Sequence, residues 1–260
     1  MSIFFKNDDE FSNLIENIIS EDDINMSAIK THDNLSSEIW KNENQLFSNI
    51  RELLLLNAKR FIEFSGIENI KFNDITLTGS MANYNYTDNS DLDVHIILDF
   101  KQISENIDFV GEFFNLKKIL WSNTYSIKIK NRDVEMYFQD SSQKHHSSGV
   151  YSLLKNKWIV KPTKKIIFVD VENIRLKTND LINNINDLVD NINSKNFLKN
   201  YNNLKNKIKN YREIGLNNFG EFSTENLVFK ILRNNGYLSK LSQAKKDYLT
   251  NELSLNEIMI

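Results

Sequence analysis

Apolar positions along this chain recur at two periods, and the switch between them divides it into three parts. Phe11, Leu14, Ile15, Ile18 and Ile19 fall at helical spacing and predict a short amphipathic helix over 9–19, followed by an acidic polar connector over 21–34. A longer helix is expected from Ser36-Ser37 onward, because Trp40, Phe47, Ile50, Leu53, Leu54, Ala58 and Phe61 trace one apolar face. Its leucine run over 53–56 reads as well buried.

From 71 the period shortens to two. The segment 73–79, centred on Ile75-Thr76-Leu77, reads as a strand ending at Gly79, and 80–84 as the start of a helix. Asn83, Asn85, Thr87, Asp88 and Asn89 make a polar loop before a second strand over 92–98. A mixed helix over 103–120 comes next, with Ile103, Ile107, Val110 and Phe114 on one face. Lys117 interrupts that face, so the buried side is expected to shift toward Phe113, Leu116 and Leu120. Alternation returns at Tyr125, Ile127 and Ile129 and again at Val134, Met136 and Phe138, around a turn at Asn131-Arg132, which reads as an antiparallel hairpin. A further apolar segment over 149–154 returns to the core.

From about Val169 the pattern is helical to the end. Ile174, Leu181, Ile182, Ile185, Leu188 and Ile192 share a face, and a strongly basic helix over 195–211 follows. Ser223 reads as the N-cap of a helix built on Leu227, Val228, Ile231 and Leu232 and ended by Gly236, with short helices over 238–249 and 253–260 after it. The expected fold class is α+β. A helical N-terminal region, 1–70, packs on a core with a small mixed or antiparallel sheet, 71–168, and a helical domain, 169–260, completes the chain.

Composition bounds the chemistry. With 260 residues and a net charge of −3, the chain is long enough for real cores and is not a generic polyanion binder. The first 58 residues hold eleven acidic side chains against four basic ones, a surface that repels nucleic acid. Cysteine is absent, which excludes disulfides, thiolate zinc sites and cysteine nucleophiles. No apolar run approaches the roughly 20 residues of a membrane span, and the acidic start lacks the basic residues of a signal peptide, so the expectation is a cytoplasmic protein with no membrane partner. The richness in Asn, Lys and Ile, with Pro162 the single proline, is the usage of an AT-rich genome.

The chemistry gathers around residue 80. A strand that ends in Gly79-Ser80 lets backbone N–H groups approach an anion closely. Asp91 and Asp93, two apart on the next strand, project to one side while Leu92, Val94 and Ile96 project to the other. Paired carboxylate oxygens suit Mg²⁺ or Mn²⁺, and Mg²⁺ is commonly held by one or two carboxylates plus substrate phosphates. If Val134 and Met136 face the core, Glu135 points the other way, with Asp133 and Tyr137, and offers a third carboxylate for a two-metal site.

Gly79-Ser80, Asp91-Leu92-Asp93 and Val134-Glu135-Met136 on a later strand, in that order and context, resemble the signature of the polymerase-beta-like nucleotidyltransferase superfamily across about 74–140. Glu38-Ile39-Trp40 and Gly220-Glu221-Phe222-Ser223 are also similar to segments of uncharacterised nucleotidyltransferase-like proteins common in bacteriophages. The resemblance implies that the sheet is a nucleotidyltransferase sheet, that Asp91 and Asp93 bridge both metals and that Glu135 binds the catalytic one. It further implies that Gly79 and Ser80 hold the β- and γ-phosphates of a nucleoside triphosphate, ATP foremost, with RNA among the candidate acceptors. Many family members carry aspartate where this chain has Glu135, which leaves Asp133 and Asp140 as rivals for the third ligand.

The remaining candidates carry two readings each. His95 shares the strand face of Asp91 and Asp93 and either meets substrate or is structural, while His145 and His146 read as exposed loop residues. Lys155, Lys157, Lys161, Lys164 and Lys165 surround Trp158 and either line the surface or hold triphosphate, and the basic run Lys195 to Arg212 is either a solvated face or a nucleic-acid contact. A nucleotide-binding regulator, sensor or antitoxin-like partner with a weak or inactive site is the alternative function. An Asp-x-Asp glycosyltransferase fits less well, because it leaves Gly79-Ser80 and Glu135 without roles.

Overall fold

The computed structural model describes residues 24–144, 147–164 and 170–254. The helix expected over 9–19, the loop histidines His145 and His146, Lys165 and most of the last short helix lie outside them. The described residues form two compact units, one of 30–144 and 147–164, the other of 24–29 and 170–254. Of the residues expected to form an N-terminal helical region, 30–70 thus group with the sheet and 24–29 with the C-terminal helices.

The first unit is built on a six-stranded mixed sheet. In chain order its strands are β3 (Phe72–Thr78), β4 (Leu92–Leu98), β5 (Lys128–Ile129), β6 (Arg132–Asp140), β7 (Val150–Ser152) and β8 (Lys157–Val160), arranged β5-β6-β4-β3-β7-β8. Every pairing is antiparallel except β4 with β6, which is parallel and joined through a helix, as parallel neighbours require. The predicted turn shifts by one residue. Lys130 and Asn131 both have positive φ, as a tight hairpin turn demands, while Arg132 belongs to β6 and is buried.

Two helices cover the apolar face of this sheet, α1 (Ser48–Ser65) and α2 (Ile107–Thr124). Leu54, Ala58 and Phe61 of α1 pack with Leu77, Val94, Ile96 and Met136 of three strands, and burial of that apolar area supplies the driving force. α1 ends at Gly66, whose left-handed backbone (φ 74°) returns its N–H to the Glu63 carbonyl.

The helix expected from Ser36 begins instead at Ser48. Four polar residues, 41–44, break the apolar stripe, and Trp40 sits on β1 (Trp40–Asn42), paired with β2 (Gln45–Leu46). Trp40 is held by tertiary contacts, stacked on Trp158 at 4.7 Å, edge-on to Tyr151, and donating Nε1–H to the Met81 carbonyl at 2.7 Å. The leucine run is also only half buried. Leu54 is fully inside, while Leu53 and Leu56 are exposed, because four successive positions sweep right around a helix.

α2 corrects a second expectation. It starts at Ile107 with Asn106 as its cap, the Asn106 side chain accepting from the Phe109 N–H at 3.1 Å. The buried side does not shift to Leu116 and Leu120, which are exposed, but runs from Val110 and Phe114 past Lys117 and Lys118 to Trp121. Long basic side chains keep their stems on the apolar surface and their heads in polar surroundings.

The second unit is helical: α3 (Val171–Asp190), α4 (Phe197–Phe219), α5 (Thr224–Asn234) and α6 (Tyr237–Leu253). α5 packs against the other three, and its Leu227, Val228, Ile231 and Leu232 are fully buried. Ser223 caps it, accepting from the Asn226 N–H at 3.2 Å, and Gly236 in the left-handed region separates it from α6. The fold class is α+β, with a mixed sheet and six helices among the described residues. No described helix is long and apolar enough to cross a membrane.

Candidate active site

Pairing register brings the sequence motifs together. Across the antiparallel β3–β4 pair Thr78 stands opposite Asp93, and across the parallel β4–β6 pair Asp93 stands opposite Glu135. Leu77, Val94 and Met136, next to these residues, are fully buried on the other face. Thr78, Asp93 and Glu135 therefore form one row across three strands, with Gly79-Ser80 leaving the end of β3 and Asp91 just ahead of β4.

The turn after β3 is tight for a steric reason. Gly79 has φ 74° and ψ −165°, a region essentially reserved for glycine, and a Cβ there would lie 2.0 Å from Asp93 Oδ2. The helix expected over 80–84 is a single 3₁₀ turn, Ser80–Ala82. It stops because Asn83 is extended and Trp40 Nε1–H takes the Met81 carbonyl, an acceptor that a continuing helix would use. One short turn gives little macrodipole, so any anion here is met by local backbone N–H groups.

The loop between the motifs is fastened from beneath. Ser80 Oγ–H donates to Ser90 Oγ at 2.8 Å, and the Thr87 N–H donates to the same oxygen at 2.8 Å. Buried Arg132 reaches the loop from β6, donating Nη1–H to the carbonyls of Thr87 (2.7 Å) and Ser90 (3.2 Å) and Nε–H to Glu38 Oε2 at 2.7 Å. This planar fork sets the approach of the chain to Asp91.

Glu135 has close cationic company. Lys118 of α2 places Nζ 2.9 Å from Glu135 Oε2 and 3.6 Å from the Tyr137 ring centre, and the Tyr137 hydroxyl donates a short hydrogen bond to the same oxygen. Tyr137 is held in turn by His95, whose ring lies 4.9 Å away and whose Nδ1–H donates to Gln139 Oε1 at 2.7 Å. Burial first, then the charges of Asp93, Glu135 and Asp91, push the Tyr137 hydroxyl far above the ordinary phenol range. All three carboxylates thus act on one half-buried hydroxyl.

The rival third ligands are occupied elsewhere. Asp133 is an exposed surface partner of Lys128 at 3.1 Å. Asp140 is buried and accepts the N–H groups of Phe100 and Ser142, both at 2.8 Å, and these bonds, with that of the Ser142 hydroxyl, outweigh burial and hold its carboxyl below the usual range.

Among the described residues, no three His, Asp or Glu side chains are gathered closely enough to hold a metal ion on their own. The donor set of Asp91 and Asp93 still suits Mg²⁺ or Mn²⁺, whose shells are usually completed by phosphate and water. Glu135 Oε2 is engaged by Lys118 and the Tyr137 hydroxyl.

The other basic groups are spread elsewhere. Lys155 pairs with Asp74 at 3.0 Å, Lys161 donates to Asn44 and Lys164 pairs with Asp33, while Trp158 is stacked on Trp40 rather than open to a base. In the basic helix, Lys207 and Lys209 approach Asp180 and Glu213, and Arg212 lies over the Phe229 ring. Sequence reading missed Lys118 and Arg132. From sequence Arg132 reads as part of a turn, and Lys118, one of a lysine pair on a helix, carries no local mark of its partner.

No family model and no curated protein matches this chain. Among solved structures it is similar to a STING-associated CdnE c-di-GMP synthase from Capnocytophaga granulosa, at 11% identity over 95% of this chain and 93% of that one, with a TM-score of 0.23. A score that low carries no argument about chemistry, and no comparison supports the expected likeness of 38–40 and 220–223 to phage proteins.

Proposed function

We propose that this chain is a metal-dependent nucleotidyltransferase. An acceptor hydroxyl, giving up its proton to water, attacks the α-phosphate of a nucleoside triphosphate, a new O–P bond forms as the bond from the α-phosphorus to the α–β bridging oxygen breaks, and pyrophosphate leaves. The observation that carries this reading is the row of Thr78, Asp93 and Glu135 across three strands, with the Gly79 backbone pressed against the Asp93 carboxylate.

In this reading Asp91 and Asp93 hold Mg²⁺ or Mn²⁺ together with the triphosphate, which is ATP in the first instance. A bound divalent ion would polarise the phosphate oxygens and neutralise the departing pyrophosphate. Gly79 and Ser80 present backbone N–H groups to the β- and γ-phosphates, and the Ser80–Ser90 bond keeps that turn in fixed relation to Asp91. Arg132 and Glu38 hold the loop in place, so that positioning is supplied before substrate arrives. Glu135 stands at the acceptor end of the row, where RNA is among the candidate acceptors.

Incubation with Mg²⁺ or Mn²⁺, each α-labelled triphosphate and total cellular RNA, protein and metabolites should place label in one fraction, and Asp93→Asn should abolish it. Full transfer by Asp93→Asn would end the assignment.

The Lys118–Glu135 ion pair favours a second reading, a nucleotide-binding regulator with little turnover. Calorimetry separates the two, since tight binding of triphosphate and metal without pyrophosphate release on any acceptor supports the regulator.

A further inference from the structure

Lys118 occupies an unusual place for a surface-helix lysine. Its ammonium lies 2.9 Å from Glu135 Oε2, its side chain is only 24% exposed, and the face of the Tyr137 ring closes over it at 3.6 Å. The Tyr137 hydroxyl donates to the same Glu135 oxygen, so that one oxygen already has a cation and a hydrogen-bond donor. Tyr137 is itself fixed by the His95 ring and through it by Gln139. The ion pair is therefore seated in a packed polar network on the sheet rather than dangling in solvent.

We infer that Lys118 is a built-in cation that stands where a second metal ion would be bound, so that this chain loads one divalent ion with its nucleotide and uses Glu135 as the anchor of Lys118. The inference rests on the nucleotidyltransferase reading of the site. Three acidic side chains acting on one neighbourhood need compensating positive charge before a triphosphate can approach. Asp91 and Asp93 would share a dication with the phosphates once substrate binds, and Glu135 holds an ammonium at contact distance. A hydrated dication that took Glu135 Oε2 would have to break the ion pair, leave the Tyr137 face without its cation and displace the tyrosine hydroxyl. Lys118 thereby becomes a positioning residue that fixes the third carboxylate and supplies a single charge at the acceptor end.

The test counts ions. Mn²⁺ binding is measured by electron paramagnetic resonance on the full chain with a non-hydrolysable α,β-methylene triphosphate, for wild type, Lys118→Met and Lys118→Arg, with thermal unfolding as the check on folding. Wild type and Lys118→Arg should hold one ion per chain and Lys118→Met two; Lys118→Gln gives the same count should the methionine chain not fold. Two ions on wild type, or one ion on wild type and on every uncharged variant, overturns the role of Lys118 while leaving the nucleotidyltransferase reading in place. No nucleotide-dependent Mn²⁺ on any chain overturns both.

Discussion

Gly79 packs on Asp93 so closely that a Cβ on the glycine would lie 2.0 Å from the aspartate Oδ2. The phosphate-binding candidate and the metal-binding candidate are thus one steric unit, although 13 residues separate them in the chain.

Gly79→Ala tests that unit. The alanine meets both a backbone conformation that only glycine tolerates and a carboxylate that must move, at a cost of about 1–3 kcal/mol for the backbone alone. The variant should unfold at lower denaturant, and its affinity for metal-triphosphate should fall by about 10- to 100-fold, the usual effect of disturbing a group that orients a ligand. Unchanged affinity in calorimetry would separate the turn from the carboxylate.

Arg132→Met removes the fork under the loop. The carbonyls of Thr87, Asp88 and Ser90 lose their shared donor, and Glu38 loses its partner. A loss of about 1–3 kcal/mol is expected in chemical denaturation. Arg132→Lys should recover little of it, because a single ammonium cannot reach both the carboxylate and the carbonyls.

Tyr84 gives a pH dependence with a defined window. Burial, and then its 2.5 Å hydrogen bond to Glu43 and the charge of that carboxylate, raise the phenol to about 12 from 10.0. A folded-state value above the unfolded one means that this stabilisation is whole below pH 10, and is lost as pH rises through about 12. Wild type should exceed Tyr84→Phe in stability at neutral pH, and the difference should shrink between those limits in urea titrations.

Ser223→Ala should cost about 1 kcal/mol, the usual worth of an N-cap. The measurement is the unfolding midpoint of the full chain, and Ser223→Asp should restore it by accepting from the same Asn226 N–H.

The strands around the site were legible because each is short, alternating and bounded by turn residues. β4 is found at the predicted 92–98, and β3 falls within a residue of its predicted limits. Trp40 was not legible. Its spacing from Phe47 and Ile50 fits a helix, and nothing local records that Trp158, Tyr151 and the Met81 carbonyl compete for it. Leu116 and Leu120 misled for the opposite reason, since apolar spacing marks a face suited to burial without supplying the neighbour that buries it.

By itself the sequence determined the α+β class, the parity that turns Asp93 and Glu135 away from Val94 and Met136, and the cap at Ser223, because these follow from dihedral preference and a period of two or 3.6. Only the tertiary structure decided which carboxylate faces which cation. Lys118 and Glu135 lie 17 residues apart on a helix and a strand, and Glu38 and Arg132 lie 94 apart. A charged side chain has many complementary partners in one sequence, and only packing, which fixes distance and removes water, selects among them.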